Sequence, residues 1–136
     1  MIQRNATILI ADDNVTFRRT IVHFLKAHLV SVEVIQVTNG REAILKTDEL
    51  IPDLVILDIN MPEVSGFEAA LTIKKNYPFI PIIILTNYDE NEYRLEAKKV
   101  LVDAFILKEN LISELPEVIH AFLMSQASHP LSNISD

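Results

Sequence analysis

Residues 53–62 read DLVILDINMP. Leu54 to Leu57 form a short, unbroken apolar run bounded by turn formers, the pattern of a strand buried on both faces. Asp58 then sets a carboxylate at the end of that strand, and Asn60 and Pro62 block any continuation. A strand with no polar face needs covering layers on both sides. The flanking sequence must supply them.

It does so by switching period. Upstream, ATILIA (6–11) and VEVIQV (32–37) are short runs rich in β-branched residues. Between them VTFRRTIVHFLKAHL (15–29) places Phe17, Ile21, Phe24, Leu25 and His28 at helical spacing. GREAILKTDEL (40–50) is helical, with Asn39 as cap and Glu42 three residues on. Downstream, Ser65 and Glu68 open a helix over 66–76 as a second capping pair, and Asp89 and Glu92 form a third for 89–101. PIIILT (81–86) and DAFILK (103–108) are the remaining strands. A final helix is expected over 114–125, capped by Ser113, with Pro116 in its first turn, where a missing N–H is tolerated.

Strand and helix thus alternate five times. That predicts an α/β, doubly wound (βα)5 domain of flavodoxin-like type over residues 1–125, with a parallel sheet in the order 2-1-3-4-5. The Ser-rich segment 126–136, broken by Pro130, reads as a flexible tail or linker remnant.

Composition narrows the chemistry. The 136 residues carry a net charge of −7 and no cysteine. The acidic balance disfavours nucleic-acid or anionic-membrane binding by this segment. Thiol catalysis, disulfides and thiolate zinc are excluded. His23, His28, His120 and His129 are not at zinc-ligand spacings. No apolar run approaches the ~20 residues of a membrane span, and the N-terminus lacks a signal-peptide pattern. A cytoplasmic domain is expected.

In such sheets, ligands sit beyond the carboxyl ends of the strands. Strand 1 ends in Asp12-Asp13, strand 3 in Asp58, strand 4 in Thr86 and strand 5 in Lys108. Taken singly, each has an ordinary explanation as a cap, turn former, strand end or solvated lysine. Together they put three carboxylates, a hydroxyl and an ammonium on one rim. Mutual repulsion should raise at least one carboxyl pKa, and a divalent cation such as Mg2+ would relieve it. A metal, a lysine and a hydroxyl around one carboxylate are the parts of phosphoryl transfer, with Asp58 as nucleophile.

The segments ADDN (11–14), LDINMPEVSGFE (57–68), ILT (84–86) and AFILK (104–108) resemble the receiver domain of two-component response regulators, the CheY-like fold. TNYDENEY and AFILKEN resemble receivers of the NarL/FixJ type in particular, which usually precede a helix-turn-helix domain. The resemblance implies that Asp58 accepts a phosphoryl group from a histidine kinase or phosphotransfer protein. It implies that Asp12, Asp13, Asp58 and the main-chain carbonyl of Asn60 hold Mg2+, and that Lys108 and Thr86 contact the phosphoryl group. Thr86 and Phe105 would switch the helix 4–strand 5–helix 5 face, controlling a homodimer or a linked, DNA-binding output domain. By the same resemblance the domain is a signalling module, not a turnover enzyme. Two rivals are an aspartate-nucleophile phosphohydrolase and a phosphate-independent interaction domain. Asn60 stands where the first would need a second acid, and the complete acid–Thr–Lys set argues against the second. The linker-like end suggests a receiver cut from a longer chain.

Three positions depart from the receiver pattern. Asn87 stands where a small residue is frequent, and should slow phosphoryl entry or hydrolysis. Glu109 replaces a frequent proline, so its peptide bond should be trans. VLVD (100–103) lacks the usual glycine before strand 5, leaving the end of helix 4 open.

Overall fold

A computed structural model describes residues 6–29, 31–87 and 90–134, with 125–134 as backbone only. Five strands, β1 (Ala6–Ala11), β2 (Val32–Val37), β3 (Leu54–Leu57), β4 (Ile82–Thr86) and β5 (Ala104–Leu107), alternate with five helices. These are α1 (Val15–His28), α2 (Gly40–Leu50), α3 (Gly66–Asn76), α4 (Asn91–Lys99) and α5 (Leu111–Ile134). All strand pairs are parallel, and the order is β2-β1-β3-β4-β5, as the alternation predicted.

The strands sort their side chains by parity. Leu9, Ala11, Val55, Leu57, Ile82 and Ile84 face a layer that includes Ala43, Phe67, Ala70, Ile73 and Ala97 of α2, α3 and α4. Ile8, Ile10, Leu54, Ile56, Ile83 and Leu85 face Ile21, Leu25, Leu115 and Ile119 of α1 and α5. Residues 54–57 are fully enclosed, which is why that run shows no polar position.

The helix starts follow the capping residues where those are local. Asn39 Oδ1 accepts the Glu42 N–H at 2.8 Å, but Glu42 reaches past the cap to the Thr38 N–H at 3.0 Å. Ser65 and Glu68 make the full reciprocal box. Asp89 lies outside the described residues; α4 begins at Asn91, with Glu90 as N-cap and no side-chain cap bond. The last helix departs most from expectation. Lys108–Asn110 form a 3-10 turn that runs straight into α5 at Leu111. Ser113 is therefore inside the helix, its hydroxyl donating back to the Asn110 carbonyl at 3.2 Å. Pro116 falls in the second turn, not the first. Its missing N–H removes the usual i+4 donor to the Ile112 carbonyl, on a residue 76% exposed where water can serve. The helix also continues beyond 125, through Pro130, to Ile134.

The end of α4 solves its missing glycine with a leucine. Leu101 has φ 62°, and the N–H groups of Leu101 and Val102 bond the carbonyls of Lys98 and Ala97. That is a Schellman arrangement, normally built on glycine, because a Cβ is crowded in the left-handed region. Leu101 is 71% exposed, so its side chain returns little burial. Leu101→Gly is expected to raise unfolding free energy by about 0.5–1 kcal/mol, the relieved backbone strain outweighing the added freedom of the unfolded chain. Urea denaturation checks this; an unchanged or lower midpoint contradicts it.

Candidate functional site at the carboxyl ends of the strands

Aspartates lie at both ends of the sheet, and their partners differ. At the amino ends, each carboxylate is committed to a neighbouring backbone. Asp53 Oδ2 accepts the Thr7 N–H at 2.8 Å, while the Asp53 N–H donates to the Thr7 carbonyl at 2.8 Å. Asp103 repeats the pattern with Ile82, at 2.7 and 2.8 Å, and also pairs with Lys74 at 2.6 Å. These acids clip adjacent strands together.

At the carboxyl ends the acids face one another. Ala11 pairs with Leu57, so the next residues, Asp12 and Asp58, leave the sheet side by side. One carboxylate oxygen each from Asp12, Asp13 and Asp58 lies within 4.8 Å of the others. Asp12 is buried, Asp13 exposed, and the Asp58 side chain 12% exposed. Lys108 joins them from the end of β5: its ammonium donates to Asp12 Oδ2 at 2.9 Å and lies 3.5 Å from Asp58 Oδ1. It is almost enclosed, and the Phe17 ring centroid lies 3.9 Å from its Nζ.

Burial pushes the Asp58 carboxyl up from 3.8 to about 6. Lys108 opposes the rise, while the charges of Asp12 and Asp13 add to it. A raised carboxyl was expected from like-charge crowding; desolvation is the larger cause. Among the described residues, Lys108 is the one cation that ion-pairs within this cluster of three carboxylates, so the cluster is short of positive charge. Hard, close-set oxygen donors of this kind suit a small divalent ion.

Two glycines hold the loop that carries Asp58, a role that the motifs above do not assign to them. A Cβ on Gly66, the first residue of α3, would lie 2.1 Å from the Asp58 carbonyl oxygen. One on Gly40, the first residue of α2, would lie 2.2 Å from the Val64 carbonyl oxygen. The signal was available: these are the only glycines in the chain. Arg18 was also missed; its guanidinium donates to the Asp12 carbonyl at 2.7 Å and to Gln36 at 3.1 Å.

Thr86 ends β4, fully buried, and pairs in register with Leu107. Phe105 pairs with Ile84, and by strand parity it shares with Thr86 the face toward α4. The Phe105 ring is half-buried beneath the Arg94 guanidinium, 4.7 Å from its centroid. Thus Asp12, Asp58 and Lys108 converge in direct contact, with an Asp13 carboxylate oxygen within 4.8 Å of those of the other two acids. Thr86 stands at the end of the next strand, and Phe105 sits within β5, below the rim. Asn60 is exposed in the β3–α3 loop, and Asn87 is exposed after β4. The Lys108–Glu109 peptide is trans, as expected. Among the described residues, no helix is long and apolar enough to cross a membrane.

Residues 8–120 match the family model described as the response regulator receiver domain. The chain is 33% identical over 113 residues to the response regulator protein VraR of Staphylococcus aureus, covering 82% of this chain and 54% of that protein. It is 33% identical over 102 residues to the transcriptional regulatory protein YdfI of Bacillus subtilis, covering 75% and 47%. The chain therefore spans about half the length of these curated relatives. Among solved structures, a DNA-binding response regulator of the LuxR family from Staphylococcus aureus superposes with TM-score 0.80 at 36% identity, over 86% of this chain and 98% of that one. The Vibrio cholerae chemotaxis protein CheY4 gives TM-score 0.73 at 30% identity, over 88% and 97%. The order of strands, the acidic rim with its lysine and these matches agree: the chain belongs to the response regulator receiver domain family, the receivers of two-component systems.

Proposed function

We propose that this domain takes a phosphoryl group on Asp58 and uses it to change partners. One observation carries the reading: the Lys108 ammonium lies between Asp12 and Asp58 within a charge-deficient carboxylate cluster, 2.9 and 3.5 Å from them. Asp12, Asp13, Asp58 and the Asn60 main-chain carbonyl would hold Mg2+. When bound, it neutralises the acids and the incoming phosphoryl oxygens. The chain's own residues do the rest. Asp58 Oδ attacks phosphorus in line; its O–P bond forms as the donor's N–P bond, or O–P bond for an acyl phosphate, breaks. The rigid end of β3 aims the carboxylate, and Lys108 balances charge on a phosphoryl oxygen. The donor is a histidine kinase or phosphotransfer protein.

The product is a dianionic group beside a buried threonine. Thr86 would turn its hydroxyl toward the phosphoryl group. The space it leaves lies on the sheet face shared with Phe105, whose ring would move inward from beneath Arg94. The α4–β5–α5 face would then repack and favour a homodimer or a linked output domain, DNA-binding as in the LuxR-family response regulator of Staphylococcus aureus. Residues 1–125 would be the receiver and 126–136 a tail or linker segment. Steady hydrolytic turnover is not expected, since Asn60 supplies no acid.

Intact-mass measurement after incubation with Mg2+ and acetyl phosphate tests this. The parent should gain one phosphoryl group and Asp58→Asn none. An unmodified parent, or equal labelling of the variant, overturns the reading. Rates for Asn87→Ala should exceed the parent's if the exposed amide narrows phosphoryl entry; identical formation and decay rates would remove that role.

A further inference from the structure

Lysine is a poor fixed point. Its four-carbon stem carries large rotamer freedom, and its three donors have no set plane. At the end of β5 it could reach water as readily as Asp58. The structure places an aromatic ring against this freedom. The Phe17 centroid is 3.9 Å from Lys108 Nζ, while Asp12 and Asp58 take other sides of the ammonium at 2.9 and 3.5 Å.

The ring is tied to the same carboxylate that binds the lysine. Asp12 Oδ1 accepts the Asn14 N–H at 2.9 Å, and Asn14 Oδ1, the cap of α1, accepts the Phe17 N–H at 2.9 Å. Asp12 Oδ2 takes Lys108. Asp12, Asn14, Phe17 and Lys108 thus close a ring of contacts, so the first turn of α1, the acid and the lysine are set relative to one another. Helical spacing alone assigns Phe17 to the core. It does pack against the α1–α5 layer, but it is only half-buried, and a cation lies within contact distance of its ring.

We propose that Phe17 is a positioning residue for phosphoryl transfer: its ring holds the Lys108 ammonium beside Asp58. This rests on the receiver reading above. The ring's quadrupole attracts the cation without neutralising it, which a third carboxylate would do. Lys108 therefore keeps its charge for the phosphoryl oxygen. With Asp12 engaged by a metal, the ring would remain as a contact holding the ammonium away from solvent.

The test separates ring electronics from ring shape. Phe17→Leu keeps an apolar side chain and should slow phosphorylation by acetyl phosphate about 3–10-fold at saturating Mg2+. Phe17→Tyr should stay within about twofold of the parent. Replacing Phe17 by mono-, di- and trifluorophenylalanine should lower the rate stepwise, because fluorine drains the ring face and leaves its packing nearly unchanged. Independently of activity, the Lys108 Hε resonances of the unphosphorylated parent should be shifted upfield by the ring and return toward ordinary values in Phe17→Leu. A parental rate in Phe17→Leu, a flat fluorine series, or unshifted Lys108 resonances in the parent overturns this inference alone. A parent that takes no phosphoryl group overturns the receiver reading itself, while the resonance shift still reports whether the ring holds the lysine.

Discussion

Gly66→Ala is expected to destabilise the domain by roughly 3 kcal/mol and to abolish Mg2+-dependent phosphorylation. In an open helix, glycine to alanine would stabilise by up to ~1 kcal/mol. Here the sign reverses. The new Cβ would meet the Asp58 carbonyl oxygen at 2.1 Å, the Asp58 carbonyl carbon at 2.9 Å and Ile59 Cα at 3.0 Å. All are backbone atoms, so no side chain can swing aside. The peptide after Asp58 must move instead, and with it the carboxylate and the loop that presents Asn60. Gly40→Ala makes a useful contrast. Its clash is with Val64, farther along the same loop, and should cost stability while leaving the acid cluster intact. Urea denaturation gives the first quantity, and acetyl phosphate labelling below the unfolding midpoint gives the second. A folded Gly66→Ala that labels like the parent would show that the loop can yield without moving Asp58.

Asp58→Asn is expected to stabilise the metal-free domain at pH 7 by roughly 2–3 kcal/mol, though it should end phosphorylation. The folded carboxyl sits at about 6 against 3.8 when unperturbed. A folded pKa above the unfolded one means that the folded state binds the proton more tightly. The resulting stability is full below about pH 3.8 and is lost as pH rises through about 6. At pH 7 the parent carries a desolvated charge that asparagine does not. The stability curves of parent and variant should therefore diverge between pH 4 and 6 and run parallel above. Mg2+ should narrow the gap by stabilising the parent in proportion to RT ln(1 + [Mg2+]/Kd). Parallel curves across the whole range would show that Asp58 titrates normally.

Elements whose limits depend on neighbouring residues were legible to the residue. β1, β2, α2 and α3 begin and end where periodicity and the Asn39 and Ser65 caps place them. Boundaries set by distant contacts were not. The start of α5 follows from the chain passing from β5 through a 3-10 turn, which no local cap announces, and α4 ends on Leu101 in a conformation that usually signals glycine. The site divides in the same way. Asp12, Asp13, Asp58 and Lys108 were found because strand ends in this topology share one rim. Phe17 was not, because an aromatic at helical spacing has the same sequence pattern whether it meets aliphatic carbon or an ammonium.

The stretch that begins with Asp53 and continues past Asp58 shows where the division lies. Sequence by itself determined a strand between two acids, because four apolar residues can be satisfied only by burial on both faces, whatever the rest of the chain does. It also determined the alternation that stacks the strand ends. Only the tertiary structure decided that Asp53 is committed to the backbone of Thr7 while Asp58 faces two more carboxylates and a lysine. Burial preference is a property of a few adjacent residues. The partner of a carboxylate is whatever group the fold brings to it, here from residues 46 positions before Asp53 and 50 after Asp58.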